Sequence, residues 1–116
     1  MKDLQIFEYY GDGYKPMHDF DAWRVAFLHH GERFDIETMT ELERHLETDE
    51  IFVLLAGEAF LLIGEEMRRV TMEYGRIYNV PAGIWHGISV SRDAKVLIVE
   101  NADTTRANSE RIAIKK

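Results

Sequence analysis

The sequence predicts an all-β fold, a single jelly-roll β-barrel or sandwich of short antiparallel strands. Three observations carry that prediction. Short apolar runs such as IFVLL, AFLLI and KVLIVE, bounded by polar or turn residues, have the length and composition of strands. Turn signals rich in Gly, Pro and Asp separate these runs at regular intervals, which favours many short strands over a few long helices. The chain has 116 residues, enough for one core and too few for two ordinary domains, so residues 1–116 read as one domain.

Composition narrows the function classes. Hydrophobic residues make up 46% and charged residues 30%, the balance of a folded soluble protein. The formal charge is -7, and no basic cluster exceeds Arg68-Arg69 or Lys115-Lys116, so nothing steers a phosphate backbone and nucleic acid is not expected as a partner. There is no cysteine, so any metal must be held by nitrogen and oxygen ligands. The opening MKDLQIFEYYGDGYKP has no uninterrupted apolar run of the kind a signal peptide or membrane span requires. No membrane partner is expected, and the cytoplasm is the expected compartment.

In chain order, residues 4–10 (LQIFEYY) alternate weakly up to the Gly11-Asp12-Gly13 turn and predict a short edge strand. Asp21 to Leu28 sets Trp23, Val25 and Phe27 against Arg24, Ala26 and Leu28 and predicts a strand that His29-His30-Gly31 ends. From Phe34 to His45 two periods compete. Met39, Leu42 and Leu46 fit a short helix over 38–46, whereas Phe34, Ile36 and Thr38 fit a strand. Glu50 to Glu73 reads as three strands, IFVLL, AFLLI and MRRVTME, joined by Gly-containing turns into a meander. Gly75 opens a further strand, Pro81-Ala82-Gly83 bends it, and Ile84 to Val90 continues it. KVLIVE (95–100) is the next strand, followed by polar NADTTRANSE and the apolar pair Ile112 and Ile114.

The chemistry concentrates in two stretches, 43–57 and 75–90. Residues two apart on a strand face the same way, so Glu43 projects with His45, and Glu50 with Phe52 and Leu54. An inward carboxylate among apolar side chains is costly unless something positive compensates it, and no Lys or Arg shares that strand face. His86 sits by the same rule beside Ile84 and Ile88. Two imidazoles and a carboxylate on neighbouring strands are a common ligand set for a divalent transition metal.

His45, Glu50 and Gly57 in one block, and Gly75, Pro81, Gly83 and His86 in another, are spaced as in the two motifs of the cupin superfamily, which the sequence resembles. Glu43 stands where the first motif usually has a histidine, and Val90 where the second usually has an asparagine. The resemblance implies a small jelly-roll barrel, commonly a homodimer, with a metal such as Fe, Mn, Zn or Ni held inside by His45, Glu50 and His86. Glu43 is then a fourth ligand, a hydrogen-bonding partner of the ligands, or a catalytic base, and its carboxylate hardens the site toward Mn, Fe or Zn.

The remaining polar and aromatic candidates read as ordinary surface and packing residues. His18, His29 and His30 belong to loops and turns, and Arg68-Arg69 to an exposed strand face. Trp23 and Trp85 fill a core or a subunit contact, with Trp85 turned away from His86. The functional expectation is a metal-binding enzyme acting on a small oxygen-rich molecule (a sugar, hydroxy-acid or keto-acid) in an isomerase, lyase or dioxygenase-like reaction. The alternatives are a small-ligand-binding module without turnover and a metal-free structural or interaction barrel. A homodimer is expected, with KVLIVE or the amino-terminal strand pairing across subunits.

Overall fold

In the computed structural model, which describes residues 3–115, ten strands follow one another: β1 (Tyr14–Phe20), β2 (Trp23–Leu28), β3 (Glu41–His45), β4 (Glu50–Ala56), β5 (Ala59–Ile63), β6 (Arg68–Thr71), β7 (Tyr78–Val80), β8 (His86–Val90), β9 (Lys95–Asn101) and β10 (Ser109–Ala113). They form two five-stranded antiparallel sheets, ordered β1-β2-β9-β4-β7 and β10-β3-β8-β5-β6. Strands far apart in sequence are neighbours in each sheet, the jelly-roll arrangement that the strand pattern predicts.

The inward faces supply the core. β9 alternates strictly, burying Val96, Ile98 and Glu100, and β4 buries Glu50, Phe52 and Leu54 on one side. Leu28, Leu61, Ile88 and Val90 complete the layer between the sheets. A second, smaller cluster of Met39, Leu42 and Leu62 is buried by Trp85, Ile36 and Ile112 packing against it. Met39 and Leu42 therefore look helical in the sequence although Leu42 lies in a strand.

Three expectations about the strands are corrected, and one left open is decided. Residues 4–10 form no strand; Phe7 stacks on His18 and Tyr9 on His29, so side chains rather than a backbone ladder hold the segment. The edge strand is β1, where Pro16 beside a register shift loses nothing by lacking an N–H. Residues 41–45 are strand, not helix, because β10 and β8 pair with them on both sides.

Of the expected three-stranded meander only the second half, the β5–β6 hairpin, forms. β4 lies in one sheet, while β5 pairs with β6 and β8 in the other. Gly57 carries this change of sheet at φ +72, where an added Cβ would lie 2.5 Å from Ala94 Cα. Finally, KVLIVE is the core of β9, hydrogen-bonded to β2 and β4 on both edges, so it has no free edge to offer a second subunit.

The second stretch is also shorter in strand than its sequence suggests. Gly75 sits in a turn at φ +79, and Ile84 precedes β8 because its N–H closes a turn on the Pro81 carbonyl. Gly83, at φ +85, crosses from β7 to β8, and its N–H donates to the His45 carbonyl at 2.7 Å. That bond ties the two motif stretches together at one end of the barrel. Among the described residues, no helix is long and apolar enough to cross a membrane.

Candidate metal centre and cavity

Each of the four side chains named from spacing is placed by the end of a strand. Glu43 and His45 close β3, Glu50 opens β4, and His86 opens β8 directly across from Glu43. His45, Glu50 and His86 are 7%, 5% and 3% exposed, so these polar groups are out of bulk water. Glu43 is half-buried at the mouth.

Glu50 Oε1 is the meeting point, 3.1 Å from His45 Nε2 and 2.9 Å from His86 Nε2. Glu43 Oε1 stands 3.8 Å from His45 Nε2. The other ring nitrogens are committed elsewhere. His86 Nδ1 faces the Ile84 carbonyl at 3.0 Å, which can only accept. His45 Nδ1 faces Ser109 Oγ at 2.8 Å, and Ser109 donates its own proton to the Thr105 carbonyl, so it too accepts. Both rings are thereby fixed as Nδ1–H donors with Nε2 turned inward, the orientation that metal-binding imidazoles need.

Electrostatics follow from burial opposed by pairing. Burial pushes the Glu50 carboxyl up, but hydrogen bonds from His45 and His86 and their charge outweigh it and hold the group well below the usual carboxylate range. Burial likewise lowers His45 and His86, and their bonds to Glu50 reverse the balance, raising both above an ordinary histidine. One ligand atom each from Glu43, His45 and His86 lies within 4.8 Å of the others, and the same holds for His45, Glu50 and Glu100. This cluster can hold a metal ion: two oriented imidazoles and a buried carboxylate match a divalent transition metal, and the missing thiolates disfavour a softer one.

Glu100 is the residue that the motif reading passes over. It shares the inward face of β9 with Val96 and Ile98, and it is buried. Tyr14 donates a hydrogen bond to it, and Arg24, its cross-strand partner, stands 3.7 Å away. Burial and the nearby Glu50 charge push the Glu100 carboxyl up to about 7, against Tyr14, His45 and Arg24, which pull it down. Strand period sets Glu100 with Val96 and Ile98, but Leu97 and Val99 on the other face are apolar too, so KVLIVEN alone does not mark Glu100 as inward.

These groups line a cavity of about 330 Å³ whose wall also includes Arg33, Arg106 and Arg111. Arg111 lies opposite Glu43 on β10, with Nη2 3.1 Å from Glu43 Oε2, and Arg33 Nη2 approaches the same oxygen at 4.0 Å.

The other candidates lie away from the cavity. His30 pairs with Asp35 at 2.8 Å, His29 faces the Gly11 carbonyl, and His18 stacks on Phe7 and meets Trp23 edge-on. Trp85 points away from the cluster, under the Arg44 guanidinium. Arg68 and Arg69 are exposed, Arg69 lying over Phe60.

No protein-family model matches the chain, and no curated protein sequence matches it. Solved structures do. A Streptomyces Pac13 variant with uridine superposes with a TM-score of 0.69 at 8% identity, over 97% of this chain and 95% of that one. Pac13 itself, described as a nucleoside dehydratase, gives 0.68 at 8% identity over 93% and 85%. A cupin protein from Bacteroides fragilis gives 0.61 at 18% identity over 91% of each chain. A cupin-2 domain containing protein from Shewanella frigidimarina gives 0.58 at 17% over 79% and 84%.

Proposed function

We propose that this chain, which has the cupin fold, acts as one domain that binds a divalent transition metal on His45, Glu50 and His86 and is an enzyme on a small oxygen-rich molecule. The observation that carries the reading is the convergence of His45 Nε2 and His86 Nε2 on one Glu50 oxygen while both Nδ1 protons are tied elsewhere. Mn, Fe, Zn or Ni suits these nitrogen and oxygen donors. Bound there, the ion supplies Lewis acidity toward a carbonyl or carboxylate oxygen.

The protein's own groups supply the proton traffic. Glu43 at the mouth takes a proton from substrate as a base or, turned inward, becomes a fourth ligand. Glu100, buried and poised near neutrality, can hold a proton and return it, with Tyr14 and Arg24 fixing its position. One group that removes a proton and another that gives one back support an isomerase or lyase, which needs no external oxidant. The uridine in the Pac13 structures supports a small polyhydroxylated occupant.

Metal analysis of protein purified without added metal, then reconstituted with Mn(II), Fe(II), Zn(II) or Ni(II), is the test. About one equivalent per chain is expected; none before or after reconstitution removes the reading. A second reading is a metal-free barrel, supported by the same hydrogen bonds, which already satisfy Glu50 from within. In that case the wild type, like His45→Ala and His86→Ala, melts no differently with or without added metal. We further propose a cytoplasmic homodimer joined through the free edge of β1, beside exposed Phe20 and Trp23. Sedimentation of a monomer alone at micromolar concentration would count against it.

A further inference from the structure

Nine arginines and five lysines make up the basic residues of the chain, and four of those arginines (24, 33, 106 and 111) line the cavity at the His/Glu cluster while no lysine does. In a protein of net charge -7 that is a directed placement. Guanidinium differs from ammonium in offering a planar fork of donors matched to a carboxylate.

Arg24 is engaged with Asp19, Glu100 and the carbonyls of Ala102 and Thr104. Arg111 is not fully engaged. Its Nη2 reaches Glu43, but its Nε, although 3.3 Å from Glu41 Oε1, is off the axis needed for a hydrogen bond and is buried without a partner among the described residues. That Nε has no exposed surface and is closed to a cavity ligand as well; what the cavity meets is the outer fork of the Arg111 guanidinium, which holds the Glu43 carboxylate as it would hold another.

We propose that Arg111, assisted by Arg33, is the subsite for a carboxylate on the substrate, and that the Glu43 carboxylate between them marks where such a group is held. This rests on the enzyme reading above and narrows its substrate class from oxygen-rich molecules to small hydroxy- or keto-acids. Arg111 is then a specificity-determining residue on a strand that the cupin motifs do not include.

The test is calorimetric titration of Mn(II)-loaded protein with lactate and with its neutral amide, lactamide. Both offer a hydroxyl and a carbonyl oxygen to the ion; lactate alone offers an anion, to the ion as well as to the clamp, so the clamp is read from the part of the preference that depends on Arg111. Wild type should bind lactate about 10- to 100-fold more tightly than lactamide, the range of a charge-assisted pair. Arg111→Gln should lose the clamp's share of that preference while still binding Mn(II), Arg111→Lys should recover part of it, and Arg33→Gln, at an exposed site less prone to misfolding, should reduce it.

Equal binding of lactate and lactamide by wild type, or a preference as large in Arg111→Gln as in wild type, overturns the proposal. Should Mn(II) not bind at all, the metal reading fails by itself and metal-free Glu43→Gln decides. With the internal anion neutralised, an Arg111-dependent preference for lactate upholds the subsite and its absence overturns it.

Discussion

His45 Nδ1 lies 2.8 Å from Ser109 Oγ, joining the end of β3 to the start of β10 through a hydroxyl whose own proton is directed to Thr105. Thr105 caps the turn at Arg106–Asn108, so the carbonyl at the end of this relay is itself held in place. Ser109 is thus a positioning residue for His45. Ser109→Ala leaves His45 Nδ1–H without its partner and frees the ring, and metal affinity should fall about 10- to 100-fold, as for other supports of metal-binding histidines. Competition with a fluorescent chelator measures this, and an affinity within twofold of wild type would show that the hydroxyl does not orient the ring.

Metal should stabilise the native state by mass action, because the unfolded chain cannot bring His45, Glu50 and His86 together. At a free metal concentration a hundredfold above Kd the gain is about 2.7 kcal/mol, and chelator should reverse it. Melting curves of wild type, His45→Ala and His86→Ala, each with and without Mn(II) or Zn(II), separate the cases. The wild type should shift and the variants should not, whereas an equal shift in all three would place the bound ion elsewhere.

Much of this site could be seen in the linear pattern. Glu50 falls in step with Phe52 and Leu54, so its inward direction follows from strand period alone, and Glu43 and His45 follow by the same rule. Glu100 obeys that rule in β9, yet it belongs to neither motif and Leu97 and Val99 make the other face apolar too, so it reads only as part of an apolar strand. The change of sheet at Gly57 could not be read locally, since Ala56-Gly57-Glu58 serves a hairpin as well as a crossing. The difference is made by β4 pairing with β9, more than forty residues away in the chain. Likewise the strand at 41–45 depends on β8 and β10, which no short window contains.

Gly57 supplies a stability prediction free of metal. Its φ of +72 disfavours any side chain, and the Cβ of Gly57→Ala would meet backbone, not a movable side chain, at Ala94. Backbone strain of this kind costs about 1–3 kcal/mol, and the contact adds to it. Urea denaturation should show a lower midpoint with an unchanged slope. Wild-type stability in this variant would mean that the crossing between sheets relaxes at no cost.

The pH dependence of the metal-free protein tests the buried charge network from both sides. Glu50 is held below the ordinary carboxylate range, so its contribution is full above about pH 4.5 and is lost as pH falls toward its folded value. His45 and His86 are raised, so theirs is full below about pH 6.5 and is lost as pH climbs through their folded values. Glu100, lifted to about 7, acts in the same direction as the histidines, because the folded state binds its proton more tightly than the unfolded chain does. Metal-free stability should therefore peak near about pH 5 and decline toward pH 8. Metal binding needs both Nε2 atoms deprotonated, so metal affinity should rise over the same interval. Glu100→Gln should flatten the decline between pH 5 and 7 in particular, leaving the part above 7 to the histidines. Thermal melts across this range, with and without chelator, measure both slopes. A metal-free stability that increases from pH 5 to 8 would mean that the two imidazoles are neutral beside Glu50 and that the hydrogen-bond assignment at His45 and His86 is wrong.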